Sequence, residues 1–106
     1  METEGIVLAD RHGVIRYWNS AATAMFGYSV DQALGQRLDL IVPSEHREAH
    51  WKGFNRALES GSAAAEGVAG PFPAQHADGS IVTRIGRLTL LRQAQGRVVG
   101  ALVVFE

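Results

Sequence analysis

The sequence predicts an antiparallel α+β fold, with helices packed over one face of a sheet. Three observations carry this expectation. Strand-like apolar runs lie at both ends of the chain, and polar turns ending in glycine separate them at residues 10–13, 77–79 and 93–96. The middle of the chain changes to helical spacing, with capping residues ahead of each segment. At 106 residues the chain has the length of one domain with one core, and that core needs more than one layer of secondary structure to close it.

Residues 6–9 form a short apolar run, residues 10–13 a turn, and residues 14–18 a resumed β-rich pattern, so the chain opens on a hairpin. Asn19 then stands where its side-chain oxygen caps a helix over residues 20–26, which Gly27 ends. Ser29 caps a second short segment, residues 30–34, closed by Gly35. Neither helix is long enough to persist alone, so both must pack on the sheet. Residues 38–42 are apolar apart from Asp39, and Pro43 followed by Ser44 starts the longest helix, residues 45–58, which the Ser60-Gly61-Ser62 segment ends. Residues 63–75 carry Gly67, Gly70, Pro71 and Pro73 and allow at most an edge strand. Two stronger strands follow, residues 81–91 and 97–105.

Composition narrows the function. An apolar content of 46% with a formal charge of −1 describes an ordinary globule without the basic excess that phosphate-backbone binding requires, so no nucleic-acid partner is expected. Without cysteine there are no disulfides, no thiolate metal sites and no cysteinyl cofactor adduct, which leaves histidine and carboxylates as ligands. No apolar run reaches the roughly 20 residues of a membrane span. The first residues lack the layout of a signal peptide, and a cytoplasmic module, minimal or cut from a longer chain, is the expectation. No motif places a nucleophile, base and acid around Ser20, Ser44 or Ser80, so catalysis is not expected.

The residue that stands out is His50. At helical spacing it shares an apolar stripe with Phe54, Ala57 and Leu58, while Glu48, Lys52, Asn55, Arg56 and Glu59 occupy the other side and Arg47 flanks the stripe. An imidazole directed at a core must be satisfied there, either by a backbone carbonyl or by a metal. His46 and His50 stand one turn apart and form the single histidine pair at ligand spacing, suited at most to a surface zinc ion.

Taken together, the segments DRHGVIRYWN (residues 10–19), AMFGYS (24–29), LGQ (34–36), IVP (41–43), DGS (78–80) and QGRVVG (95–100) resemble a PAS domain. The resemblance covers essentially the whole chain and implies a single PAS domain over residues 1–106, with a five-stranded antiparallel sheet and its helices on one face. Residues 43–61 are similar to the haem-binding PAS domains of rhizobial oxygen-sensor histidine kinases, and more distantly to that of a cyclic-di-GMP phosphodiesterase. The matching positions are Arg47, His50, Gly53-Phe54 and Gly61.

The resemblance implies haem b held by His50 as axial iron ligand, with His46 or Arg47 at the propionates. The distal wall would be apolar, made by Leu88, Ala101, Val103 and Val68. It further implies a diatomic gas ligand (dioxygen, carbon monoxide or nitric oxide), a homodimer, and an effector such as a histidine kinase or a cyclic-di-GMP enzyme. Two departures accompany it. Oxygen sensors of this group carry a distal arginine in the segment after the helix, where this chain has Gly67-Val68-Ala69-Gly70, and Gly86 falls where a bulky apolar residue is usual. The alternatives are a cofactor-free PAS module for dimerisation and protein interaction, and a sensor of a small metabolite or flavin in the same cavity.

Overall fold

The computed structural model describes residues 3–106. In chain order the elements are β1 (Gly5–Asp10), β2 (Ile15–Trp18), α1 (Ser20–Phe26), α2 (Val30–Ala33), α3 (Arg47–Ser60), β3 (Ala69–Gln75), β4 (Ile81–Arg92) and β5 (Val98–Phe105). The strands form one antiparallel sheet in the order β2-β1-β5-β4-β3, with the helices on one face, as the sequence predicts. First and last strands therefore lie side by side in the centre.

Register fixes which side chains look inward. Gly5 faces Phe105, Val7 faces Val103 and Ala9 faces Ala101 across β1 and β5, while Gly86, Leu88 and Leu90 of β4 continue the same rows. In β1 these inward residues are buried and the alternate Ile6, Leu8 and Asp10 are only partly covered, the period-2 pattern of a strand with one face on the core.

Two clusters make the core. The larger gathers Val7, Ile15, Trp18, Phe26, Ile41 and Phe105 under α1 and α2. Phe26 meets Phe105 edge-on at 5.0 Å between ring centroids, and Phe105 meets Phe72 at 5.7 Å. The smaller cluster sits under α3, where Ala57 packs with Leu90, Val98 and Ala101. Asn19 fastens α1 to the sheet. Its Oδ1 accepts from Ala22 N at 3.0 Å, capping the helix, and from Ile6 N at 2.9 Å, while its Nδ2 donates to the Glu4 carbonyl at 2.8 Å. Ser29 and Gln32 form a reciprocal capping box at α2.

Several boundaries differ from the sequence reading. Val14 lies outside β2 and bridges to Arg37, because the chain following α2 returns alongside it. Residues Leu38–Leu40 and Ser44–His46 form two 3-10 turns, so the long helix begins at Arg47 instead of residue 45. Pro43 is extended, at ψ 143, and Ser44 offers no side-chain cap; the chain tightens into a His46 N to Pro43 O bond before it settles into α-helical spacing. The helix runs on to Ser60, where Gly61 adopts a left-handed conformation at φ 79 and donates to the Ala57 carbonyl.

The segment with two prolines is the edge strand that the sequence allows. β3 lies at the sheet's edge, the position that tolerates Pro71 and Pro73. The loop ahead of it is held by Glu66, whose carboxylate accepts from Leu90 N at 2.9 Å and from both terminal nitrogens of Arg92 at 2.9 and 2.6 Å. Hydrogen bonds from Arg92 pull the Glu66 pKa down to about 2. Arg92 also donates to the Gly61 carbonyl at 3.0 Å, joining the end of α3 to β4.

Asn19 is 5% exposed and makes its hydrogen bonds where water cannot replace them. Asn19→Ala is expected to cost about 2–4 kcal/mol, combining a lost cap with two further unpaired groups. Asn19→Asp keeps the acceptor but not the donor and should recover part of that loss, read from the midpoints of urea unfolding curves.

Candidate functional site

The inner face carries small side chains where α3 crosses it. A cavity of about 100 Å³ lies on this face, with Ala9 and Ala101 among its walls. Its walls include Val7, Ala9, Ala101, Val103 and Phe105 from the central strands, Leu38, Ile41 and Val42 from the segment before α3, and Phe72, Pro73 and Ala74 from β3. His50 is the one polar side chain in the lining.

The imidazole is half-buried on α3 and touches two aromatic neighbours. Its ring lies 4.7 Å from Trp51, edge-on, and 6.0 Å from Phe54. His50 Nδ1 is buried and has no hydrogen-bond partner. Burial lowers the pKa of this histidine, Asp39 raises it and Arg37 lowers it further, with burial dominant. An imidazole with an unpartnered buried nitrogen, its charged form disfavoured by burial, therefore borders an apolar cavity.

Trp51 holds α3 in place. Its Nε1 donates to Asp39 Oδ1 at 2.7 Å, and the Arg37 guanidinium lies 4.2 Å from the ring centroid. The end of the indole rests against Gly13, at φ 76, on the turn between β1 and β2; a Cβ there would collide with the ring. One residue of α3 thus reaches the loop of Arg37 and Asp39 and the first hairpin. From sequence alone Trp51 fits either a cofactor-binding or a purely structural role for His50. The signal available was a tryptophan beside His50 with Asp39 and Arg37 upstream, but no spacing rule joins those three.

The other expected site residues fall in different places. Ala101 and Val103 line the cavity together with His50. Phe54 is half-buried behind His50, packed on the small core cluster and 5.3 Å from Trp51. His46 is exposed in the 3-10 turn.

Arg47 turns away from the cavity. Its Nε donates to the Val42 carbonyl at 3.0 Å and a terminal nitrogen donates to the Asp39 carbonyl at 3.1 Å, which clips the preceding loop to the helix start. The spacing between Arg47 and His50 thus has a structural use in this chain. Two residues expected in the distal wall lie outside the lining of this cavity. Val68 is 61% exposed, ahead of the edge strand, and Leu88 packs against the small cluster under α3, outside the cavity lining.

In their place stand residues that the sequence reading did not select. Val7, Ala9 and Phe105 follow from strict alternation along β1 and β5 once those strands are known to be neighbours. Phe72 was hidden by the prolines around it. Gly86 does not leave the wall bare, because Phe72, Phe105 and Val103 close over it and a Cβ at that position would meet all three. Arg84, opposite Phe72 on β4, is half-buried with Nε unpartnered and stands outside the cavity lining. Among the described residues no group of three or more histidines and carboxylates converges as a metal site.

Comparisons with known proteins agree with this architecture. A stretch of the Escherichia coli oxygen sensor protein DosP is 29% identical over 76 residues, which cover 72% of this chain and 10% of that protein. The Bradyrhizobium diazoefficiens sensor protein FixL is 32% identical over 47 residues, 44% of this chain and 9% of that one. The cell-division control histidine kinase PdhS of Brucella ovis is 40% identical over 47 residues, 44% of this chain and 4% of its own. This chain therefore matches at most about a tenth of the length of these relatives.

Among solved structures, the PAS domain of a Colwellia psychrerythraea protein superposes with a TM-score of 0.81 at 25% identity, over 99% of this chain and 86% of that one. The PAS domain of the Cronobacter turicensis quorum-sensing receptor RpfR, in complex with BDSF, reaches 0.73 at 16% identity over 99% and 93%. The profile described as the PAS fold matches residues 3–106, and with the sheet order and the helical face already described, the chain belongs to the PAS-fold family.

Proposed function

We propose that this chain is the ligand-sensing input of a signalling protein, with its ligand in the cavity beside His50, and that the ligand is haem b held through the His50 imidazole. The single observation behind this reading is that imidazole: a neutral ring with an unpartnered nitrogen on the wall of an apolar cavity. Similarity to an oxygen sensor protein supports it.

The donor chemistry fits iron, since a neutral imidazole on a helix is a suitable axial ligand. The volume is smaller than a porphyrin needs. At about 100 Å³ the cavity falls below the ~300–1,000 Å³ of ordinary cofactor and drug-sized pockets, so binding requires α3 to stand further from the sheet. Haem would supply an iron that coordinates a diatomic gas reversibly.

The rest belongs to this chain's own residues. If haem binds, His50 would hold the iron, Ala101, Val103, Phe72 and Phe105 would exclude water, and exposed His46 would be the candidate for a propionate, whereas Arg47 is spent on loop carbonyls. With His50 as the metal ligand, the lining has no other side-chain hydrogen-bond donor, so this wall would give dioxygen no advantage over carbon monoxide or nitric oxide. The domain itself is non-catalytic; acting as a homodimer, it passes the movement of α3 to an effector such as a histidine kinase or a cyclic-di-GMP enzyme. A second reading is favoured by the small volume: a compact apolar metabolite occupying the cavity as it stands.

The test is the absorption spectrum of protein expressed with haem precursor. A Soret band that shifts under carbon monoxide and is lost in His50→Ala is the expected result. A colourless protein that takes up no added hemin would overturn the haem reading and leave the metabolite reading or a cofactor-free interaction module.

Burial of His50 also sets a pH dependence. Because its folded pKa lies below the ordinary 6.5, the unfolded chain binds the proton first as pH falls. The contribution to stability is complete above that value and is lost as pH drops from it towards the folded pKa. Urea midpoints are expected to fall between about pH 7 and pH 5 in the native sequence and to flatten in His50→Phe. The carboxylate Glu66, held at about 2, contributes its own loss only at lower pH.

A further inference from the structure

We propose that the cavity, with α3 seated as it is here, is a binding site for single-ring phenols, the ring filling the apolar space and the hydroxyl hydrogen-bonded to the His50 imidazole. This deepens the reading above, since it rests on the cavity beside His50 being the ligand site, and it names an organic ligand class for the haem-free domain.

Size comes first. The cavity holds about 100 Å³, and an apolar protein cavity of roughly 150 Å³ stays dry and admits benzene. At about two-thirds of that volume a single ring is the upper limit of what the cavity takes with the helix where it is, and fused rings and acyl chains exceed it. The lining suits the ring: Val7, Ala9, Ile41, Val103 and the aromatic Phe72 and Phe105.

Chemistry then selects the substituent. A trapped water needs two to four polar partners, and this lining has only one polar side chain, so water is a poor occupant. A hydroxyl both donates and accepts, so it satisfies a neutral imidazole in either tautomer. Nothing cationic lines the cavity, and burial keeps the ring of His50 uncharged, so a carboxylate would enter without a counter-charge. Phenol is favoured over toluene by its hydroxyl and over benzoate by its neutrality.

The experiment titrates haem-free protein with phenol, toluene and benzoate, followed by two-dimensional amide NMR. Phenol is expected to bind saturably, with shifts centred on Ala101 and Val103, toluene about five- to tenfold more weakly, and benzoate not at all at the same concentrations. His50→Leu should retain toluene binding while erasing the preference for phenol. Ala101→Leu, which fills the cavity, should abolish both; if that variant fails to fold, the ratio measured in His50→Leu carries the test.

Equal affinity for phenol and toluene, binding of benzoate, or a phenol preference that survives His50→Leu would overturn the proposal. A parallel hemin titration separates the two readings. Hemin uptake without phenol saturation removes this inference alone, phenol saturation without hemin uptake removes the haem reading alone, and failure of both removes the cavity as a ligand site.

Discussion

The pairing of β1 with β5 is the constraint from which the rest of the molecule follows. It brings the two ends of the sequence into one register and sets a gradient of side-chain size along the inner face, from Ala9 and Ala101 through Val7 and Val103 to Gly5 and Phe105. Over the large end, Phe105 meets Phe26 and Phe72 and the core closes. The cavity runs along the same face, bordered by Ala9 and Ala101 at one end and by Val7, Val103 and Phe105 towards the other. A slip of β1 by one residue would bring Ile6 and Leu8 to the inner face in place of Val7 and Ala9 and turn those buried residues to the other face.

The helices are attached to this sheet in different ways. Asn19 ties α1 to β1 through both the helix cap and the strand backbone. By contrast α3 buries only Ala57 completely and relies on attachments along its length: Arg47 to loop carbonyls, Trp51 to Asp39, and Gly61 to Arg92. A wall held by a few polar contacts over a small-residue surface gives up less burial when it moves than one packed in the core. The cavity is thus bounded on its sheet side by rigid strands and on its helical side by the less deeply buried element.

Much of this was legible in the chain. The glycine-ended turns, the caps at Asn19 and Ser29 and the stripe containing His50 all follow from local rules, because each involves neighbours within a few residues. What was hidden depended on contacts across the fold. Pro71 and Pro73 allowed an edge strand but blurred its alternation, and the inward place of Phe72 was not legible. Leu88 and Ala101 occupy the same inner face and both meet the cluster under α3, yet only Ala101 also borders the cavity, a difference set by the path of the helix across the sheet. Arg47 matches a cofactor-binding pattern by position, yet its hydrogen bonds go to the loop of Asp39 and Val42. Spacing alone does not distinguish a ligand-facing arginine from one that closes a turn.

The indole of Trp51 has a spectroscopic consequence. It is hydrogen-bonded to a carboxylate, covered by a guanidinium and adjacent to His50, whereas the chain's other tryptophan, Trp18, is buried in the larger cluster with its own partners Thr23 and Tyr28. The two chromophores therefore occupy separate electrostatic environments, one tied to the helix that walls the cavity and the other to the body of the sheet. The domain carries an intrinsic optical reporter of helix position alongside an internal reference.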